Sequence, residues 1–183
     1  TVLGAVLKQT GRINESLFAK HKAVELEPLD AQAHYNLGTT LQELGRLDVA
    51  EASYTQAIAL KPDFAKAHYN LGITLNELGR LNEAEISYTE AIALKPDYAE
   101  AYSNLGNTLQ RLGKLEEAEA SLRQALALKP DDAEAYSNLG NSLKELGRLG
   151  EAEASYTQAI VLKPDYVESH NNLGVTLQEL GRL

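Results

Sequence analysis

Asparagine returns at one fixed interval along the chain, and its chemistry suggests a binding function. It occupies one position in every 34 residues: Asn36, Asn70, Asn104, Asn138 and Asn172. A carboxamide carries two N–H donors and an acceptor oxygen, so it can donate to a peptide carbonyl and accept from a peptide N–H. A regular row of these groups predicts a surface that holds an extended polypeptide by its backbone. Two simpler roles stay open, a tolerated polar residue or a hydrogen bond to a neighbouring helix.

Aromatic and polar side chains accompany this row. Tyr35 and Tyr69 directly precede the first two asparagines, and Ser103, Ser137 and Asn171 take their place later in the chain. Aromatic side chains are favoured anchors at protein interfaces, although these tyrosines could equally pack against the next repeat. Helical spacing places three further residues on the same face: Thr39, Asn107 and Asn141.

The sequence carries no signature of a metal site or of catalysis. His34, His68 and His170 share a register, but they lie a full repeat or more apart and cannot converge on one zinc ion. Packing is the predicted role of these histidines. The chain contains 0 cysteines, which excludes disulfides and thiolate ligands. With no phosphate-binding loop and no nucleophile near a base, we expect no metal, no cofactor and no enzymatic activity.

The elements that position these residues are defined by proline and glycine. Proline ends a helix because it lacks an N–H and clashes with the preceding turn. The 5 prolines are spaced 34 residues apart: Pro28, Pro62, Pro96, Pro130 and Pro164. Of the 13 glycines, 12 fall into two series with the same interval, one containing Gly38 and the other Gly45. A fixed period of this length indicates a repeat architecture.

These signals divide the chain into repeats within a single solenoid domain spanning 1–183. In the repeat 31–64, Leu37, Leu41 and Leu44 share one helix face, and Gly45 can close that helix in the left-handed conformation. A second apolar stripe then runs to Pro62, so each repeat is a pair of antiparallel helices. The predicted boundaries are a partial repeat at 1–30, full repeats at 31–64, 65–98, 99–132 and 133–166, and a half repeat at 167–183.

Two finer predictions concern packing and helix caps. The Gly38 series is predicted to allow close approach of two helices, so a larger residue there should destabilise the fold. Capping boxes are predicted at the first helices from Asp97, Asp131 and Asp165, and at the second helices from Asp48 and Asn82.

Composition limits the classes of partner. The net charge of −9 disfavours nucleic acid and an anionic membrane surface as partners. No apolar run approaches the roughly 20 residues that a membrane-spanning helix needs. The absence of cysteine fits a cytoplasmic protein. Residue 1 is not methionine, which suggests a processed product or a fragment, so a lost signal peptide stays open.

The pattern resembles the tetratricopeptide repeat family. The matching stretch is Asn36-Leu37-Gly38 followed by Leu41, Gly45, Ala50, Tyr54, Ala57 and Pro62, and it recurs in register over essentially the whole chain. The resemblance implies a right-handed superhelix in which the first helix of each pair lines a concave binding surface. The asparagine row is similar to the asparagine ladder in the tetratricopeptide region of O-linked N-acetylglucosamine transferases.

The resemblance also allows one family function to be examined. Chaperone-binding members clamp a C-terminal carboxylate with lysine and arginine from successive first helices. At the lysine positions this chain has Tyr35, Tyr69, Ser103, Ser137 and Asn171, and at the arginine position it always has asparagine. We therefore expect no binding of heat-shock chaperone tails.

The function predicted from the sequence is a protein-interaction scaffold that binds an extended polypeptide. The main alternative is the substrate-recognition arm of a larger glycosyltransferase or sulfotransferase. An idealised array without a partner and an RNA-binding helical repeat are further alternatives, the latter disfavoured by charge. The last first helix lacks a covering second helix, so its leucines could also support self-association.

Overall fold

The computed structural model describes the backbone of residues 2–182 and the side chains of residues 13–182. Its regular structure is entirely α-helical over those residues, which confirms the all-α prediction. None of these helices combines the length and apolar character that crossing a bilayer requires. The helices are α1 (Val2–Leu26), α2 (Ala31–Glu43), α3 (Leu47–Leu60), α4 (Ala65–Glu77), α5 (Leu81–Leu94), α6 (Ala99–Arg111), α7 (Leu115–Leu128), α8 (Ala133–Glu145), α9 (Leu149–Leu162) and α10 (Val167–Glu179).

The helices group into two compact units, Thr1–Leu94 and Lys95–Leu183. In the first unit, α2 pairs with α3 and α4 pairs with α5, while α1 contacts α2 and α3 contacts α4. In the second unit, α6 pairs with α7 and α8 pairs with α9, while α7 contacts α8 and α9 contacts α10. First helices of neighbouring repeats also touch within each unit: α2 with α4, α6 with α8, and α8 with α10.

From residue 31 onward, glycine closes the first helix of each repeat, as the sequence predicts. Gly45 has a φ of 69°, in the left-handed region that side chains with a Cβ disfavour. Its N–H donates to the carbonyl of Gln42 at 2.9 Å, and the Arg46 N–H donates to the carbonyl of Leu41 at 2.8 Å. This pair of bonds is the Schellman arrangement that satisfies the last carbonyls of a helix.

Helix α1 departs from the repeat pattern. It continues through Gly11, which belongs to the same glycine series as Gly45, so the helix end that this series predicts does not occur here. In complete repeats a tyrosine or leucine of the second helix fills the space over the first helix. The corresponding position in the first repeat is Lys20, whose ammonium donates to the Thr40 hydroxyl instead. Glycine inside a helix costs only about 1 kcal/mol, so Gly11 by itself does not force a turn.

The predicted capping boxes are also wrong. The first helices begin one residue later than predicted, and their N-caps are Tyr98, Asp132 and Tyr166. At Tyr98 the ring lies 4.3 Å from the ammonium of Lys95, a cation–π contact that orders the turn without a side-chain cap. The second helices begin at Leu47 and Leu81, which places Asp48 and Asn82 inside the first turn.

The Gly38 series makes room for a side chain rather than for a neighbouring backbone. A Cβ on Gly38 would lie 2.7 Å from Cε1 of Tyr54, which is fully buried. The same overlap occurs at Gly72 with Tyr88, at Gly106 with Leu122 and at Gly140 with Tyr156. Each glycine therefore lets a large side chain of the second helix lie across the first helix, towards the predicted binding face.

Candidate functional site

All ten predicted site residues lie on first helices. Five belong to the first unit, on α2 and α4, and five belong to the second unit, on α6, α8 and α10. We call these surfaces the α2–α4 face and the α6–α8–α10 face. The residues of the first are Tyr35, Asn36, Thr39, Tyr69 and Asn70, and those of the second are Asn104, Asn107, Asn138, Asn141 and Asn172.

Buried tyrosines of the second helices place their hydroxyl groups among these residues. The Tyr54 hydroxyl donates to Oε1 of Gln42 at 2.8 Å and accepts from Nδ2 of Asn70 at 3.4 Å. In the second unit the Tyr156 hydroxyl donates to Oδ1 of Asn141 at 2.7 Å. Sequence reasoning treated these tyrosines as packing residues only. The signal it missed was the use of tyrosine, where phenylalanine would fill the same space.

Burial keeps these hydroxyls protonated. It raises the pKa of Tyr54 to about 12, although hydrogen bonds with Thr39 and Asn70 act in the opposite direction. Burial also raises the pKa of Tyr156, and Glu168 and other carboxylates add to the effect. Both phenols are therefore neutral near pH 7, and each can donate a hydrogen bond to the face it reaches.

On the α2–α4 face, the predicted aromatic anchors have partners within the first unit. Asn70 Nδ2 donates to the Tyr35 hydroxyl at 3.2 Å, and the Tyr35 ring centroid lies 4.9 Å from that of Phe64. The ring centroids of Tyr69 and Tyr88 are 6.0 Å apart. These contacts give both tyrosines and Asn70 a structural role, which corresponds to the simpler interpretation left open by the sequence.

The remaining members of this face bond locally. Thr39 Oγ1 donates to the backbone carbonyl of Tyr35 at 3.0 Å, within the same helix. Asn36 is exposed, and its Oδ1 accepts from Nε2 of Gln32 at 2.9 Å. This amide is the most accessible one on the α2–α4 face.

On the α6–α8–α10 face, one asparagine pair is hydrogen-bonded directly, and a tyrosine donates to the same pair. Asn172 Nδ2 donates to Oδ1 of Asn141 at 2.9 Å, and the same oxygen accepts from the Tyr156 hydroxyl. The asparagine of α10 is thus tied to α8 by a three-residue network. Part of the hydrogen-bonding capacity of this pair is already used inside the chain.

The equivalent pair one repeat earlier is Asn107 and Asn138, whose carboxamides we call the open amides. Asn138 is only 8% exposed, and neither its carboxamide nor that of Asn107 has a hydrogen-bond partner among residues 13–182. In that part of the chain no side-chain nitrogen or oxygen is both shielded from solvent and unbonded, so the Asn138 amide atoms reach solvent. Two hydroxyl partners found in other repeats are replaced here: Leu122 occupies the position of Tyr54 and Tyr156, and Ser103 occupies the position of Tyr35. Sequence reasoning could have found this difference by reading the two helices together.

The histidines lie at the helix starts. The Nε2–H of His34 donates to the carbonyl of Pro28 at 3.0 Å, and His68 and His170 make the same bond to Pro62 and Pro164 at 3.1 and 2.9 Å. These bonds give the histidines a structural role in the loop between repeats. Over the described side chains, no group of histidine and acidic residues has the arrangement of a metal site.

The leucines of α10, for which self-association is predicted, are more exposed than the leucines at the same positions of α8. Leu173 and Leu177 are half-buried, whereas Leu139 and Leu143 on α8 are 4% and 1% exposed. Association through this surface stays a prediction.

Comparisons with known proteins extend this description. The sequence model of the family described as the cilia and flagella-associated protein 70 C-terminal domain, a tetratricopeptide family, matches residues 1–183. No curated protein sequence matches the chain significantly.

Several solved structures share the fold. The chain is similar to YrrB, described as a tetratricopeptide protein with an unusual peptide-binding site, with a TM-score of 0.79 and 26% identity over 90% of this chain and 84% of that one. It is similar to the thermophilic tetratricopeptide protein TTC0263 of Thermus thermophilus, with a TM-score of 0.67 and 29% identity over 96% of both chains. The first tetratricopeptide domain of Spaghetti (RPAP3), bound to the HSP90 peptide SRMEEVD, gives a TM-score of 0.63 and 28% identity over 64% of this chain and 93% of that one. The predicted tetratricopeptide solenoid class is confirmed.

Proposed function

Because this chain belongs to the family of the cilia and flagella-associated protein 70 C-terminal domain, we propose that it is a protein-interaction scaffold. Its fold is similar to that of tetratricopeptide proteins that bind peptides, which supports this proposal. Its ligand is an extended polypeptide segment of a partner protein, bound on the first helices. The scaffold catalyses no reaction itself, and it acts only by binding its partner.

The open amides of Asn107 and Asn138 carry this proposal. The Asn138 side chain is 8% exposed, so folding removes most of its contacts with water, and its carboxamide gains no hydrogen bond within residues 13–182. A bound peptide group supplies what is missing, because its carbonyl accepts from Nδ2 and its N–H donates to Oδ1. These contacts involve only the ligand backbone, so they bind an extended segment with little regard to its side chains.

This proposal refines the asparagine ladder suggested by the sequence. In a uniform ladder, all five asparagines would contact the ligand in the same way. Here Asn70 and Asn172 each commit a donor to the chain itself. The main peptide contact is therefore proposed for the α6–α8 part of the α6–α8–α10 face.

Two variants test this assignment. Phage selection of random 12-residue peptides on the wild-type chain supplies the probe, and isothermal titration calorimetry measures its affinity. Asn138→Ala should weaken binding about tenfold, the loss of one or two hydrogen bonds. Leu122→Tyr should also weaken it while leaving Asn138 in place, because the added hydroxyl should donate to Asn107 as Tyr156 donates to Oδ1 of Asn141 in the next repeat.

A matched control separates binding from folding. Asn82→Ala removes an exposed carboxamide from the second helix α5 and should leave the affinity unchanged. Since Asn138 has no internal partner, its alanine variant should unfold at nearly the wild-type temperature. Unchanged affinity in both Asn138→Ala and Leu122→Tyr would show that the peptide does not use these amides.

The ligand should differ from that of the chaperone-binding relative. The Spaghetti (RPAP3) domain binds the HSP90 peptide SRMEEVD. Here the corresponding lysine and arginine positions carry tyrosine, serine or asparagine, which cannot form charge-assisted bonds to a terminal carboxylate. We expect no detectable binding of SRMEEVD at millimolar concentration, with the Spaghetti domain as positive control. Micromolar binding would contradict this prediction.

A further inference from the structure

The residue before each second helix is basic, and its carboxylate partners form a pattern. Arg80 donates from Nη1 to Glu51 of α3 at 2.6 Å and from Nη2 to Glu83 of α5 at 2.5 Å. Arg148 bonds in the same way to Glu119 at 2.5 Å and to Glu151 at 2.7 Å. Each arginine therefore links a second helix to the one before it through two glutamates.

Arg46 occupies this position in the first complete repeat but lacks both partners. The residue equivalent to Glu51 is Leu17, and the residue equivalent to Glu83 is Val49. Apolar side chains thus replace both carboxylates, and Arg46 makes no ion pair with any residue of 13–182. The guanidinium groups of Arg80 and Arg148 each pair with two carboxylates, whereas that of Arg46 has no carboxylate partner among residues 13–182.

A cavity of about 440 Å³ adjoins this arginine, on the side of α1. Its apolar part includes Leu17 and Phe18, and the Phe18 side chain is 75% exposed. Its polar part contains His21, Lys22 and Glu25 besides Arg46; Lys22 and Glu25 pair with each other at 2.9 Å. Arg46 is thus the open cation beside an exposed apolar surface, on a chain whose net charge is −9.

We propose that this cavity is a second binding site, which accepts an acidic, partly apolar helix from a partner protein. A glutamate of that helix pairs with Arg46, and a neighbouring apolar side chain covers Phe18. Within the chain, second helices supply the carboxylates that reach this arginine position from the preceding repeat, as Glu51 and Glu119 show. A helix bearing glutamate is therefore the partner chemistry that the site fits, and Arg–carboxylate pairs give the required specificity.

The test uses a peptide whose carboxylate is known to satisfy such an arginine. The probe is a fluorescein-labelled copy of Leu115–Leu128, which contains Glu119, and its control peptide carries Glu119→Gln. Fluorescence anisotropy measures binding to the full chain. We expect Arg46→Gln to weaken binding of the probe about tenfold or more, and to abolish the preference for glutamate over glutamine.

A charge-matched variant controls for general electrostatics. Arg123→Gln removes one positive charge from α7 and should change the affinity less than twofold at 0.15 M salt. Arg46→Gln should keep the wild-type unfolding temperature, because the side chain has no internal ion pair to lose. The proposal is overturned if Arg46→Gln binds the probe as wild type does, if the glutamine peptide binds equally well, or if no binding occurs at 1 mM. It is also overturned if wild-type chains dimerise and Arg46→Gln abolishes the dimer, since the occupant would then be a second copy.

Discussion

Gly140→Leu should lower the free energy of unfolding by about 3 kcal/mol or more, the upper range for overpacking a rigid core. A Cβ at this position would lie 2.6 Å from Cε1 and 2.7 Å from Cδ1 of Tyr156. That ring is 0% exposed, so it has no free volume into which to move. Leucine adds three further carbons beyond the Cβ, and the α8–α9 pair must separate to accept them.

The same substitution one repeat later provides the control. A Cβ on Gly174 would meet no described atom within 4 Å. Gly174→Leu should therefore be neutral or stabilising by about 0.5–1 kcal/mol, since leucine favours the helix. Urea unfolding followed by circular dichroism compares the two variants with the wild type. Equal losses at both positions would mean that glycine matters for backbone freedom and not for the space it leaves to the tyrosine.

The sequence was sufficient to predict the repeats because proline and glycine act locally. Pro62 stops a helix whatever surrounds it, and Gly45 adopts a conformation that other residues resist. The failure at Gly11 has the opposite origin. Glycine permits a turn without enforcing one, and at Gly11 the chain stays helical.

The positions of the site residues could be predicted from one helix, whereas their hydrogen-bond partners depend on how neighbouring helices pack. Asn70 and Asn138 are identical in type and register, yet within residues 13–182 only the Asn70 carboxamide has hydrogen-bond partners. The bonds of Asn70 go to Tyr35 and Tyr54 on two helices of the preceding repeat, whereas the equivalent positions for Asn138 are Ser103 and Leu122. A pattern read along a single helix does not contain that information, because the hydrogen bond forms only through tertiary packing.

Arg46 illustrates the same point for charge. Arg46 occupies the same repeat position as Arg80 and Arg148, so its position alone does not distinguish it from them. Once the pairs of Arg80 with Glu51 and Glu83 are known, the residues one repeat earlier identify Arg46 as an arginine without a carboxylate partner among residues 13–182. The structure therefore shows which positions pair with this arginine, and the sequence then shows that Arg46 lacks carboxylates at those positions.

Alkaline pH should destabilise the fold through its buried phenols. Burial raises the pKa of Tyr54 from its ordinary value of 10.0 to about 12, so the unfolded chain loses this proton at lower pH than the folded chain. The resulting stability is fully present below pH 10 and is lost as pH rises towards 12. Two units of pKa correspond to roughly 2–3 kcal/mol, an upper bound because the folded chain can open locally.

Tyr54→Phe isolates this contribution. At pH 7 the variant should be less stable by about 1 kcal/mol, because Gln42 loses its hydrogen-bond donor. Between pH 10 and pH 12 its stability should fall less steeply than that of the wild type, since phenylalanine does not ionise. The two curves should converge or cross in that window, as measured by urea unfolding at fixed ionic strength. Parallel curves would mean that the Tyr54 hydroxyl ionises as readily in the folded chain as in the unfolded one, and that it does not remain a neutral donor on the α2–α4 face.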